Sequence, residues 1–181
     1  MATAHARNGE AGFTLIDLIF VIAIIGVVCA IAVPALLRAR TSAQASSAIA
    51  DMRVINSAQL SYAITCGSGF YAPDMPTLGV PPPASSTGFL SADLAGAPTV
   101  IKSGYQITMF GTPVAAAPAS CNGLAPGAGS TAYKAGADMV TPGPTSRFFA
   151  TNAQGVIFED TASMFAAMPE SGVPGSGVPI Q

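Results

Sequence analysis

A single aspartate set five residues into an apolar run is the most chemically pointed residue in this sequence. Asp17 lies inside GFTLIDLIFVIAIIGVVCAIAVPALL (12–37), where the other side chains are apolar apart from Thr14. An ionised carboxylate deep in a bilayer costs about 2.5–3.5 kcal/mol on insertion scales, so an acid kept there needs a partner or a task. The remaining reactive residues are dispersed. His5, the only histidine, precedes the apolar run, and Cys29, Cys66 and Cys121 are too far apart for paired metal-ligand spacing. Glu159 and Asp160 are adjacent, so on a strand they point to opposite faces and cannot act as paired carboxylates. The glycine stretches GAGS and GSG lack the strand, helix and lysine of a phosphate-binding loop. No metal, cofactor or catalytic set is therefore expected.

The elements that must position Asp17 follow from hydropathy. Residues 13–37 form an apolar stretch of 25 residues, about 37 Å long as a helix at about 1.5 Å per residue, which is enough to span a bilayer. From Arg38 to Thr65 there is neither glycine nor proline, and Ala45, Ile49, Met52, Ile55, Gln59 and Ala63 recur every three or four residues, with Ala48, Leu60 and Ile64 beside them. Pro34 removes one backbone donor and kinks a helix more readily than it ends one. The spacing thus predicts one long, bent helix over 14–65. Beyond Cys66 the punctuation is dense, with fourteen of the fifteen prolines after residue 72. GYQITMF (104–110) alternates as a strand, RFFATNAQGVIFED (147–160) reads as two strands around a turn, and TAYKAG (131–136) supplies another. The aromatic clusters Phe70–Tyr71, Phe148–Phe149 and Phe158–Phe165 fit the packing of a sheet against the helix.

The expected class is α+β, a long bent N-terminal helix packed on a small antiparallel sheet. It divides into an apolar helix (13–37), an amphipathic half (38–65), a head (66–168) and a flexible tail (169–181). Charged residues are 9% of the chain and the net charge is −2. That leaves no basic patch for phosphates, so no nucleic-acid partner is expected.

Gly12, Phe13, Thr14, Leu15 and Ile16, then an acid at 17, an apolar run and Pro34, resemble the processing signature of type IV prepilins and of type II secretion pseudopilins. The resemblance implies the fold just described, a leader (1–12), cleavage between Gly12 and Phe13 by a prepilin peptidase, and N-methylation of the new Phe13 amine. Asp17 stands where that family carries glutamate. The resemblance further implies a non-enzymatic structural subunit that polymerises into a pilus-like filament through its N-terminal helix, served by the peptidase/methyltransferase, an inner-membrane assembly platform and its ATPase. The precursor would be a single-pass inner-membrane protein in contact with lipid, and the product an extracellular or periplasmic filament. Removal of His5 with the leader would exclude Ser-His-Asp or Cys-His catalysis.

Phe13, Asp17 and Pro34 become the assembly residues. The Phe13 amine would lie four residues from Asp17 on one helix face, and pairing between subunits would fix register, because any slip leaves two charges unpaired in an apolar core. Ala23, Gly26, Ala30 and Ala32 would let helices approach closely. Arg38 and Arg40 follow the span and by charge count favour an internal C-terminus, but long C-terminal domains translocate largely regardless of flanking charge. With the head outside, Cys66 and Cys121 form a candidate disulfide, and Cys29 leaves the pairing open. Two other readings stand beside this one. The chain could be a pseudopilin of a short periplasmic filament, or a membrane-anchored binding module that does not polymerise.

Overall fold

The computed structural model describes residues 14–83, 85–143 and 145–180. Helix α1 runs Leu15–Thr65 without interruption, with Pro34 inside it. The chain forms two compact units divided between Ser42 and Ala43. In the first, every described residue is exposed, and the apolar side chains cover the helix all round. This helix is long and apolar enough to cross a membrane.

The second unit contains the rest of α1. Ala45, Ala48, Met52, Ile55, Gln59 and Tyr62 recur at alternating steps of three and four and are all buried, which is the period of one helix face. The helix phase differs from the sequence expectation at two positions, since Leu60 is 56% and Ile64 74% exposed, while Asp51, Ala58 and Tyr62 are buried. Hydropathy alone does not set the buried arc. The sheet contact does, and residues 60 and 64 fall outside it. The helix ends where Gly69, at φ 91°, lets its amide reach the Ala63 carbonyl at 2.8 Å, satisfying a carbonyl of the last turn.

Two short helices follow. In α2 (Met75–Gly79) the Asp74 side chain caps the Thr77 amide at 3.0 Å, and α3 is Ala92–Ala95. The sheet is an antiparallel meander of six strands in chain order, β1 Thr99–Lys102, β2 Tyr105–Phe110, β3 Lys134–Met139, β4 Phe148–Asn152, β5 Ile157–Asp160 and β6 Val178–Ile180. Ser103 (φ 51°) and Gly104 (φ 82°) form the two-residue β1–β2 turn, whose positive φ at both positions matches the twist of the flanking strands.

Register assigns the two faces. Tyr105, Ile107, Met109, Ala135, Ala137, Phe149 and Ile157 alternate onto the face that shares a core with α1. On the opposite face Ala150 and Phe158 pack with Met164 and Met168, and Phe165 lies over Gly136, where an added Cβ would come 2.8 Å from its own. Residues 161–172 thus form a strap across β3–β5. Asn152 fastens it by donating to the Pro169 and Gly172 carbonyls at 3.1 and 2.7 Å. Glu170 fastens it to the Thr112 amide at 3.1 Å. β4 is accordingly buried along its whole length, with apolar Phe148, Phe149 and Ala150 followed by Thr151 and Asn152, whose buried side chains are hydrogen-bonded.

The fold is α+β as the sequence implies, with three differences in detail. The 131–136 strand begins only at Lys134 and extends to Met139. β1 was not anticipated, being four residues long behind a proline. The segment 169–181, read as a flexible tail, instead supplies β6, which pairs Val178 with Glu159 and Ile180 with Ile157. Pro179 obscures that strand in the sequence but is tolerated on a sheet edge, where one ladder donor is dispensable.

Candidate functional site

Asp17 lies in the first turn of α1. Its Oδ2 accepts from the Thr14 amide at 3.1 Å and from the Thr14 hydroxyl, while its own amide donates to Thr14 Oγ1 at 3.3 Å. This reciprocal arrangement is a capping box, which satisfies amide groups that a helix start leaves without partners. The signal was present as Thr-x-x-Asp ahead of an apolar run, and the reading of Asp17 as a lone acid missed it. The carboxylate therefore has a local partner in the isolated chain. Gly12 and Phe13, the expected cleavage and methylation residues, lie outside the described residues, as does His5. Pro34 sits mid-helix, and α1 continues through it.

At the other end of α1, Cys66 and Cys121 are joined in a disulfide with Cα atoms 4.8 Å apart. The Cys121 amide also donates to the Cys66 carbonyl at 3.1 Å. Next to the bridge Ser120 donates to Asn122 Oδ1 at 2.6 Å, and Asn122 donates to the Thr77 carbonyl at 2.8 Å. The long proline-rich loop is thereby tied to both α1 and α2. Cys29 is a free, exposed thiol in the apolar half of α1.

Among the polar contacts that fix α1 in the head are a buried amide clip and an ion cluster. Gln59, fully buried, donates from Nε2 to the Ala72 carbonyl at 2.8 Å and accepts the Ala72 amide on Oε1 at 2.9 Å. Its amide thus acts as a two-bond strand partner for the buried Ala72 backbone. Lys102 bridges the buried Asp51 at 2.8 Å and the exposed Asp93 at 2.7 Å, tying β1 and α3 to the helix. Hydrogen bonding to Lys102, aided by Ser91, holds the Asp93 carboxyl down at about 2. The Asp51 and Asp93 carboxylates in turn raise Lys102 above the ordinary lysine value.

Glu159 and Asp160 fall on opposite faces of β5. Glu159 forms a two-pronged pair with Arg147, and the Arg147 guanidinium is raised by that bond. Among the described residues no group of three His, Cys, Asp or Glu side chains gathers around a common point. The arrangement can do mechanical work. It caps an apolar helix at one end and fastens it by a bridge, an amide clip and an ion cluster at the other. No protein-family model matches this chain, and no curated protein or solved structure matches it.

Proposed function

We propose that this chain is a structural, non-catalytic subunit of a type IV pilus-like filament, made as a single-pass membrane precursor, cut between Gly12 and Phe13, and polymerised through the apolar half of α1. The observation that carries this reading is the continuity of α1. One unbroken helix exposes apolar side chains all round over its first half and is a core element of the head over its second. An all-apolar exposed helix demands lipid or other helices around it, and a subunit that exchanges one for the other needs such a helix. The disulfide suits a head outside the cytoplasm and opposes the topology that Arg38 and Arg40 alone would favour. In this reading Asp17 meets the Phe13 amine of a neighbouring copy and sets axial register.

Two measurements test the proposal together. Mass analysis of the mature N-terminus is expected to give N-methylated Phe13, and electron microscopy of a strain lacking the gene is expected to show loss of filaments. A mature chain starting at Met1 or Val33 overturns the processing step. Correct processing with no filament of any length overturns polymerisation and leaves a membrane-anchored module.

A further inference from the structure

We propose that the head carries a binding site for a carboxylated pyranose ring, in a hollow between α1 and the β4–β5 turn. The hollow measures about 420 Å³, within the range of about 300–1,000 Å³ usual for small-ligand sites. Arg53, Ser57 and Leu60 line it from α1 at steps of four and three, with Tyr71, Tyr133 and Gln154 opposite.

Its floor is rigid. The Tyr133 hydroxyl donates to Asn56 Oδ1 at 2.9 Å, and Asn56 Nδ2 donates to Thr151 Oγ1 at 2.9 Å and to the Gly155 carbonyl at 3.1 Å. Both Asn56 amide protons are thereby spent, so this residue shapes the site and donates nothing to a ligand. Tyr71 is held at its backbone and along one ring edge. It exchanges backbone bonds with Ser130 at 2.8 and 3.0 Å and meets the Tyr133 ring edge-on at 5.0 Å. An aromatic wall held this way loses little entropy on binding.

The lining specifies the ligand. Tyr71 and Leu60 offer an apolar surface to the C–H face of a ring, and Ser57 and Gln154 on opposite rims can bond hydroxyls. Arg53 is the only charged side chain among the described lining residues. A guanidinium has five donors in a fork that matches a carboxylate, so it can engage one while keeping a protein contact. A nucleotide or polyphosphate is disfavoured, because no second cation lines the hollow to share the charge. An aliphatic ligand is disfavoured by the polar rims.

Saturation-transfer NMR on the full chain in detergent micelles tests the proposal, with methyl glucuronoside, methyl glucoside and acetate as probes. The glucuronoside is expected to bind saturably and at least tenfold tighter than the glucoside, with acetate failing to compete at equal concentration. Arg53→Gln, at an exposed position, is expected to remove that preference while weak binding of the neutral sugar persists. Tyr71→Leu weakens both sugars alike, and near-ultraviolet dichroism checks that each variant is folded. Absence of saturable binding, competition by acetate at equal concentration, or a preference unchanged in Arg53→Gln overturns the site. Because micelles hold the chain unpolymerised, none of these results bears on filament formation.

Discussion

The two halves of α1 obey different rules within one continuous helix. Over 15–42 every residue is exposed, and Ile, Leu, Val and Phe occupy all sides. Over 43–65 the helix has a buried arc and an exposed arc, and the buried one includes an acid, Asp51, and an amide, Gln59. The first half is apolar without sidedness, as expected of a helix whose surroundings are the same in every direction. The second half is sided and tolerates polar groups inside, because each has a fixed partner. Sidedness, more than hydropathy, distinguishes a helix built for a fixed protein environment from one built for lipid or for copies of itself.

The sharpest way to break that contrast is at Asp17, the one acid in the unsided half. Asp17→Ala removes both the capping box and the carboxylate, whereas Thr14→Val removes the cap and keeps the charge. Loss of a cap costs about 1 kcal/mol, too little to stop a helix of this length in lipid. If the charge sets register, Asp17→Ala is inserted and cleaved but yields at least tenfold less sheared filament, while Thr14→Val and Asp17→Glu assemble. Membrane-fraction immunoblots beside filament yields read this out. Equal losses in Thr14→Val and Asp17→Ala would reassign Asp17 to capping alone.

The head should respond to quite different changes. Its four tyrosines, at 62, 71, 105 and 133, are the only ones in the chain, so their near-ultraviolet signal reports the sided half and its sheet while the unsided half stays silent. The Cys66–Cys121 bridge closes a loop with a sequence separation of 55, worth about 4 kcal/mol in the chain-entropy account. Cys121→Ser is expected to lower head stability by about that amount in denaturant titration. Thiol counting on the denatured native chain should find one free cysteine, Cys29, and a count of three would contradict the bridge.

How far these features were legible in the sequence depends on their range. The Thr14–Asp17 box is a four-residue pattern and was legible in principle, although the surrounding apolar run drew the reading toward an isolated charge. The helix and the four inner strands, β2 to β5, were legible, β3 with shifted bounds, because periods of 3.6 and 2 are local. The phase of the helix was not. Leu60 and Ile64 are as apolar as Ile55, and only the position of the sheet decides which is buried. The partnership of Gln59 with Ala72 was hidden for the same reason, since it depends on where a loop returns. β6 was hidden by composition, Pro179 and the surrounding glycines outweighing the β-branched Val178 and Ile180.

Gln59 gives the next largest effect. Gln59→Leu keeps the volume roughly constant but leaves the Ala72 amide and carbonyl without these partners at a residue that is fully buried. Stranding two buried backbone groups costs about 2–4 kcal/mol. Gln59→Glu should be similarly harmful, because the carboxylate cannot donate to the Ala72 carbonyl. Tyrosine dichroism against denaturant measures both. A loss under about 0.5 kcal/mol in Gln59→Leu would show that apolar packing alone holds this face of α1.

The smallest expected effect is electrostatic, and its sign follows from the Asp51–Lys102–Asp93 cluster. Asp93 is held at about 2 in the folded head against an ordinary 3.8. A depressed carboxyl pKa adds stability above the unfolded value and loses it as pH falls through the folded one. The contribution from Asp93 is therefore complete above about pH 4 and disappears toward about pH 2. Lys102 is raised above its ordinary 10.5, so its contribution is complete below that value and fades as pH climbs through the raised one. Asp93 is 53% exposed, so solvent and salt screen this pair strongly. Asp93→Asn should lower the tyrosine-detected unfolding midpoint slightly near neutrality, where the Asp93 contribution is complete, and converge with the native chain as pH falls from about 4 to about 2, and about 1 M salt should mimic it. Asp51→Asn tests the buried arm of the same cluster. Asp51 is only 7% exposed at its side chain, so removing its charge takes from Lys102 the partner that salt cannot reach, and the loss should persist in about 1 M salt. Equal salt sensitivity of the two variants would mean that the sided half of α1 holds Asp51 no more tightly than its surface does, and the contrast between the two halves would then rest on packing alone.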